Sequence, residues 1–530
     1  MTKGYFGLVL HGHIPWCKKS GVWPAGEQWY TEATLETYLP LLNVLRELKE
    51  KGIKTALTIN ITPILAEMMA DNYMKERFIH YVEDLIKRAN SDIQKYTNHP
   101  ARKKIAEFHL HNFESNLSAF YHNYYTDLLG TFKWLQDEKM IELITCAATH
   151  GFLPLFERDS SIFSQIQLAV ETHKKYFKKE PKGIWLPECA YRPKMKIGNN
   201  LRESIDYWLH NSGIEYFFVD SHGILNAEIV ESKNQLGLNT NFGYNLESGV
   251  SVFGRNLNTS RQVWDSEIGY PGNKYYREFH KKDYDSGLHY WRITDKSIGR
   301  EQKELYDIGK AQENVKLDAD HFVSSLLKEL GSFSSKYNEK GIIVSPYDFE
   351  LFGHWWMEGI TWLKRVFELI HGEEDIKMIS FSAYLSKNKD NFSMIKMKES
   401  SWGAGGHFQV WKNPEHGWIW PYINSSMVEF ENVLVSYPNP NQSQQRILKQ
   451  VARELLLMEG SDWPFLLYTK QAKDYANQRF HHHHQRFNKL IWAAKDFNDK
   501  SRLSIRELEE IESIDSCFQN INLDYFRKIY

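Results

Sequence analysis

Seven short apolar runs constrain the fold of this chain more than any other feature. They are Tyr5–Leu10, Lys54–Ile59, Ile141–Ala147, Gly183–Leu186, Glu215–Val219, Gly341–Ser345 and Ile376–Phe381. Each follows a helical pattern or the start of the chain, and each runs out into polar residues. Between the first two, Leu35, Leu39, Leu42, Leu45 and Leu48 recur at helical spacing within Glu32–Lys51, and Gly52 is a stop signal. Strands that alternate with helices pair in parallel, because each crossover helix returns the chain to the same end of the sheet. Seven such units predict an α/β fold built on a closed or nearly closed barrel.

The residues just past these runs are chemically distinctive. His11 and His13 follow the first, Asn60 the second, His150 the third and Glu188 the fourth; Asp220 with His222 follows the fifth, and Asp348 the sixth. Apolar strands that end in His, Asp and Glu describe one polar rim at the C-terminal face of a barrel, where such folds carry their chemistry. In Gly183-Ile-Trp-Leu-Pro-Glu-Cys-Ala-Tyr191, Pro187 cannot donate to a ladder and stops the strand, leaving Glu188 just beyond it beside Trp185 and Tyr191. Asp348 occupies the matching place after Gly341–Ser345, among Tyr347, Phe349, Phe352, Trp355 and Trp356. Two carboxyls facing each other across an aromatic cleft are what glycoside cleavage requires. His11 and His13, at i and i+2 on a strand, face one side and could share an ion with a third ligand such as His150 or Asp220.

Composition removes several classes. The net charge of −2 offers no case for nucleic acid or an anionic membrane. Cys17, Cys146, Cys189 and Cys517 show neither C-x-x-C spacing nor a dense framework, which points to a reducing, cytoplasmic setting and away from a cysteine metal site. No stretch approaches 18 apolar residues, and Tyr5–Leu10 is too short for a signal core, so neither a membrane span nor a leader is expected. The 17 tryptophans suit a protein that stacks on sugar rings.

The predicted barrel is interrupted between about 223 and 292. Gly223 to Thr240 reads as a long polar loop, and Ser251–Arg292 as an irregular aromatic excursion over the same face. From about Ser400 the alternation ends. The glycine-rich Ser401-Trp-Gly-Ala-Gly-Gly406 lacks phosphate-loop spacing, and a helical pattern follows Pro440, with Ser461–Pro464 as a corner between helices. The expected division is therefore a barrel over 1–399 and a helical domain over 400–530. The His481–His484 run is read as a solvated helix face.

The chain closely resembles glycoside hydrolase family 57, in its 1,4-α-glucan branching enzyme subgroup. The resemblance rests on LVLHGHIPW (8–16), Trp23–Glu27, ATHGFLP (148–154), GIWLPECAYRP (183–193), RQVWDSEIGYPG (261–272), YDFELFGHWWMEG (347–359), Ser401–Trp411 and SDWPF (461–465). It implies a (β/α)7 barrel followed by a helical domain, and a retaining mechanism on α-glucan without a metal or organic cofactor. By matching position, Glu188 is the implied nucleophile and Asp348 the implied general acid/base. His11, His13 and His150 are implied to line the subsite around the cleaved bond. Arg255, Trp264, Gly272, Trp402, Trp411, Asp462 and Gln471 are implied glucan contacts. The alternatives are a hydrolase or 4-α-glucanotransferase on the same site, a metal-dependent polysaccharide deacetylase, and a non-catalytic glucan binder.

Two stretches depart from the subgroup. Its members commonly carry a tyrosine-rich loop after the fifth strand, whereas Gly223–Gly249 offers only Phe242 and Tyr244. The glycine loop continues as His407-Phe408-Gln409, where some relatives carry charged residues. The first departure leads to the expectation that this loop reaches over the cleft and, lacking tyrosines, lets water compete with the acceptor.

Overall fold

The computed structural model describes residues 2–197, 200–265, 267–497 and 502–529. Seven parallel strands form the central sheet, in spatial order β7-β1-β2-β3-β4-β5-β6. They are β1 (Gly4–Gly12), β2 (Leu57–Ile61), β3 (Ile141–Cys146), β4 (Gly183–Trp185), β5 (Tyr216–Val219), β6 (Ser251–Gly254) and β7 (Gly341–Asp348). Strands β2, β3, β5 and β6 are buried on both faces almost throughout, as a parallel sheet sheathed in helices demands. The ring closes between β6 and β7 at two backbone bonds, from Asn256 N–H just past β6 to the Val344 carbonyl (2.8 Å) and from Ile342 N–H of β7 to the carbonyl of Asn241 in the loop that precedes β6 (2.8 Å). The fold is the (β/α)7 barrel with a helical C-terminal region.

All seven expected runs are strands, but one is not a stave of the barrel. Ile376–Met378 pairs only with Gly4–Phe6 of β1, on the edge that β2 occupies further along at Val9–Gly12. It fills the gap where β1 and β2 diverge at the bottom of the barrel. The seventh stave is instead Ser251–Gly254, inside the stretch expected to be irregular. The loop after β5 also departs from expectation. After the short helix Ser221–Leu225, residues Glu228–Glu231 and Gly243–Asn245 join a small side sheet with Met394–Lys396. Gly243–Asn245 then runs antiparallel to β6. Since Asn241 bonds the first residues of β7, this loop descends the outer wall toward the N-terminal end of the barrel and does not span the cleft. Phe242 and Tyr244 are both buried, and the Tyr244 hydroxyl donates to the carbonyls of Gly237 and Asn239.

The long crossover from β2 to β3 contains an antiparallel helical pair, Asn72–Lys95 and Pro100–Ser118. The excursion after β6 packs on it: Tyr290 donates to Asp92 (2.7 Å), Tyr96 donates to Asp283 (2.9 Å), and His109 Nε2 meets the His289 carbonyl at 2.6 Å. The C-terminal helices are Ile419–Ser436, Gln442–Met458, Asp462–Thr469, Lys473–Lys495 and Ile505–Ile514. His481–His484 is a solvated face only in part: His481 is exposed, but the run also turns a residue inward. His483 is fully buried, its Nε2 accepting from Arg479 (2.8 Å) and its Nδ1 donating to the buried Glu454 (2.8 Å), while His481 stacks on Trp418. Among the described residues, no helix is long and apolar enough to cross a membrane.

Candidate active site

Two short segments of the C-terminal region are stitched to the barrel rim by backbone hydrogen bonds, and together they build the site. Ser400 and Tyr191 exchange bonds (2.8 and 3.2 Å), and the Trp402 N–H donates to the Glu188 carbonyl (3.0 Å). Gly460 bridges Gly151, and the Ser461 N–H donates to the His150 carbonyl (3.0 Å). Both rim residues held this way, Glu188 (φ 62°) and His150 (φ 57°), adopt left-handed backbone conformations. Such conformations cost a non-glycine residue of order 1–3 kcal/mol and persist only where surroundings over-determine them. Here the docked segments do so, and the strained turns aim the carboxyl and the imidazole into the cleft.

Each oxygen of the buried Glu188 carboxyl receives a donor from the C-terminal region. Trp402 Nε1–H donates to Oε2 at 2.7 Å, and Ser461 Oγ lies 3.2 Å from Oε1. Burial pushes the Glu188 carboxyl up to about 7; the Trp402 hydrogen bond opposes that rise and the Asp462 charge adds to it. Asp348 ends β7 directly opposite His11 in the ladder. Its carboxyl makes no hydrogen bond among the described residues. Burial holds it well above the ordinary aspartate range, helped by the charges of Glu350 and Glu188 and opposed by Arg255. Donors favour the ionised form of an acid and their absence favours the neutral one. Both carboxyls are raised by burial, and of the two Glu188 has the hydrogen bonds that favour ionisation while Asp348 has none that do.

The three histidines form a stack on this pair. His13 lies 4.0 Å from His150 and His11 5.0 Å from His150, ring to ring, and His11 packs at 4.9 Å on Trp185. His11 Nδ1–H donates to Asn60 Oδ1 (2.6 Å), and its Nε2 meets His150 Nε2 at 3.0 Å. Burial holds His11 and His150 well below the usual histidine value, and the neighbouring imidazoles push the same way. In His13 burial acts in that direction too, but the charge and hydrogen bond of Asp462 (3.0 Å from Nε2) outweigh it and raise the value. His13, His150 and Asp462 bring ligand-type atoms within 4.8 Å of one another. Each is already engaged: His13 by Asp462 and Thr62, His150 by His11 and Ser461.

Not every expected contact reaches this centre. Arg255 does: its Nη2 donates to Asp220 (2.5 Å), and its guanidinium lies 5.9 Å over the Trp402 ring. Trp402, Asp462 and the histidines are in place, as described. Trp411 is turned away. It is 1 % exposed, stacked on Phe152 at 4.6 Å and covered by Gly403, so it supports the Trp402 loop and presents no face to a glucan. Trp264, 39 % exposed, ends the helix Leu257–Trp264; Gly272 closes the turn Tyr270–Gly272; Gln471 is exposed after Thr469. None of these three bonds to Glu188 or Asp348. Two groups escaped the sequence reading. Ser461 joins Glu188 to His150, and buried Glu350 accepts from the Tyr38 hydroxyl and the His13 N–H. Ser461 lay inside the matched SDWPF run as the neighbour of Asp462, which was the one signal available. Glu350 lay two residues past Asp348.

The comparisons with known proteins agree with this geometry. The family model for glycosyl hydrolase family 57 matches residues 7–398, and a model described as the C-terminal domain of 1,4-alpha-glucan branching enzyme matches 423–526. A 1,4-alpha-glucan branching enzyme of Thermococcus kodakarensis is 40 % identical over 98 % of this chain and 78 % of its own length. The structure of a branching enzyme from Pyrococcus horikoshii superposes with a TM-score of 0.92 at 40 % identity, covering 100 % of this chain and 98 % of that one. An α-amylase from Thermotoga maritima superposes at 0.88 with 32 % identity, covering 99 % of each chain. The seven-stranded barrel, the paired carboxyls at the ends of β4 and β7 and these matches place the chain in glycosyl hydrolase family 57.

Proposed function

We propose that this protein is a retaining 1,4-α-glucan branching enzyme, with Glu188 as nucleophile and Asp348 as general acid/base. The observation that carries the assignment of roles is the asymmetry of the carboxyl pair, two donors on Glu188 and none on Asp348. Glu188 attacks the anomeric carbon of an α-1,4-linked glucose while Asp348 protonates the departing oxygen. The resulting glucosyl ester is opened by the 6-hydroxyl of a second glucan, with Asp348 now removing the proton. Asp462, the histidine stack and Arg255 surround this centre with fixed polar groups for sugar hydroxyls, and Trp402 supplies the aromatic wall. The division of labour we infer, barrel over 1–399 and helical domain over 400–530, is supported by family models that end at 398 and resume at 423. A cytoplasmic location is supported by four buried, unpaired cysteines.

A second reading has its own support. The Thermotoga maritima relative is named an α-amylase, and a hydrolase differs from a transferase only in whether water or a hydroxyl opens the ester. Incubation with amylose, followed by debranching and chain-length profiling, separates the two. New α-1,6 branches with a defined length distribution support the transferase; shortened linear chains alone refute it.

A further inference from the structure

A groove of about 850 Å³ opens along the helix Ile419–Ser436, and none of the residues lining it bonds to Glu188 or Asp348. Its floor is apolar: Trp420 and Val433 are buried there, with Tyr437 beside them and the exposed Val428 as a lip. Its polar walls are amides and hydroxyls, from Asn424, Asn432, Ser425 and Ser436. Asn424 is the informative one. It is 8 % exposed, and its Oδ1 accepts from the Glu157 backbone N–H at 3.1 Å. That bond settles which end of the carboxamide is oxygen, because an N–H cannot donate to an NH₂ group. The Nδ2 end has no protein partner among the described residues and is left to the groove. The charges in the lining cancel, Lys412 and Lys495 against Glu157 and Glu429, and Lys495 is ion-paired with Glu429. A phosphate or a polyanion therefore finds no net attraction there. An uncharged polyhydroxyl chain matches the lining: its C–H faces cover the apolar floor, and its hydroxyls accept from Asn424 and bond to the walls.

We propose that this groove is a second, non-catalytic α-glucan site, which holds one arm of a long chain while another part of the chain occupies the cleft. The inference rests on the reading of α-glucan as the substrate. The place of the groove in the fold favours joint use. Trp420 Nε1–H donates to the Trp411 carbonyl (2.9 Å), and Trp411 stacks on Phe152 and packs under Gly403, the neighbour of Trp402. The groove is thus backed by the loop that brings Trp402 to Glu188. The Glu157–Asn424 bond ties its wall to the segment that follows His150 on the barrel rim. Two sites on one molecule hold one chain more tightly than either alone, because the second contact is intramolecular. The gain is confined to chains long enough to occupy both; a short one fills one site at a time.

The test is affinity electrophoresis in gels containing glycogen, with the wild type, Val428→Trp and Asn424→Asp. Val428→Trp fills the groove from its exposed lip. Asn424→Asp keeps the oxygen that accepts from Glu157 and replaces the free donor. Each should weaken the retention by glycogen about five-fold or more. The KM for amylose should rise by a similar factor with kcat held, while the rate of maltoheptaose cleavage stays at the wild-type level and shows that the variant is folded. Retention and amylose KM that match the wild type in both variants overturn the proposal. An equal loss on maltoheptaose and amylose overturns it too, since the substitutions would then be acting on the cleft. So does a wild-type melting temperature raised by inorganic phosphate but not by maltoheptaose, with the phosphate effect lost in Val428→Trp, because the groove would then be an anion site. A wild type that neither binds nor cleaves amylose would instead sink the proposed function, so the two failures are distinguishable.

Discussion

Replacing Trp402 with phenylalanine isolates one bond of the site. The indole packs edge-on against Trp185 at 5.1 Å, and phenylalanine keeps much of that contact while losing the N–H that donates to Glu188 Oε2 at 2.7 Å. A hydrogen bond to a buried charge contributes about 1.5–3 kcal/mol. At about 1.4 kcal/mol per pKa unit, its loss raises the Glu188 carboxyl by about 1–2 units from a starting point of about 7. The carboxylate is the working form, so the acid limb of kcat/KM moves alkaline by that amount and the bell narrows from its acid side. At about pH 6 the ionised fraction falls by about 10- to 100-fold, while near the optimum the loss is smaller and reflects sugar stacking alone. Initial rates of amylose cleavage across the pH range measure this directly. An acid limb that stays in place, or a loss equal at every pH, would refute the claim that Trp402 holds the nucleophile as an anion.

Three other perturbations follow from the same geometry. His483→Ala leaves buried Glu454 and Arg479 without their shared partner and should cost about 3–5 kcal/mol, read as a lowered denaturation midpoint with the active-site pH profile unchanged. Glu459 is pushed up to about 8 by burial, against the Gln165 hydrogen bond, from an ordinary 4.5. An acid whose folded value is raised contributes stability that is full below the ordinary value and lost as pH rises through the folded one, so Glu459→Gln should become more stable than wild type by about a few kcal/mol between about pH 5 and 9 in urea titrations. Because the Gly223–Gly249 loop buries its two aromatics and runs down the barrel wall, it does not cover the site. Replacing its exposed Asn and Glu residues by aromatics should therefore leave the reducing ends released per α-1,6 linkage formed unchanged; a ratio that falls several-fold contradicts this.

The staves of the barrel were legible because parallel strands buried on both faces read as apolar runs. Ser251–Gly254 and Ile376–Met378 show where that signal misleads. Ser251-Val-Phe-Gly is a stave of only four residues, begun by Ser and ended by Gly254 before Arg255, so its burial leaves almost no trace in the pattern. Ile376–Met378 has an apolar look but exposes Lys377, as a strand filling an edge can. The carboxyl pair was legible because each acid follows a strand and a proline or aromatic stop. The partners of those acids were not. Ser461 lies 273 residues from Glu188, in what read as a corner between helices. Trp411 was an expected glucan contact only through the family resemblance, and Gly403 makes room for its ring to pack inward. The histidine run failed for the opposite reason: a helix turns one residue in four toward the core, and His483 is that residue.

The measurement that bears most directly on the mechanism is covalent trapping of the intermediate. The protein would be incubated with an activated fluorinated α-glucosyl donor, digested and mapped by mass spectrometry. One glycosyl unit attached to Glu188, in the peptide that spans Leu186–Tyr191, is the predicted outcome, with no label in Glu188→Gln. A label on Asp348, or full activity with no ester at Glu188, would contradict the assignment on which the account stands.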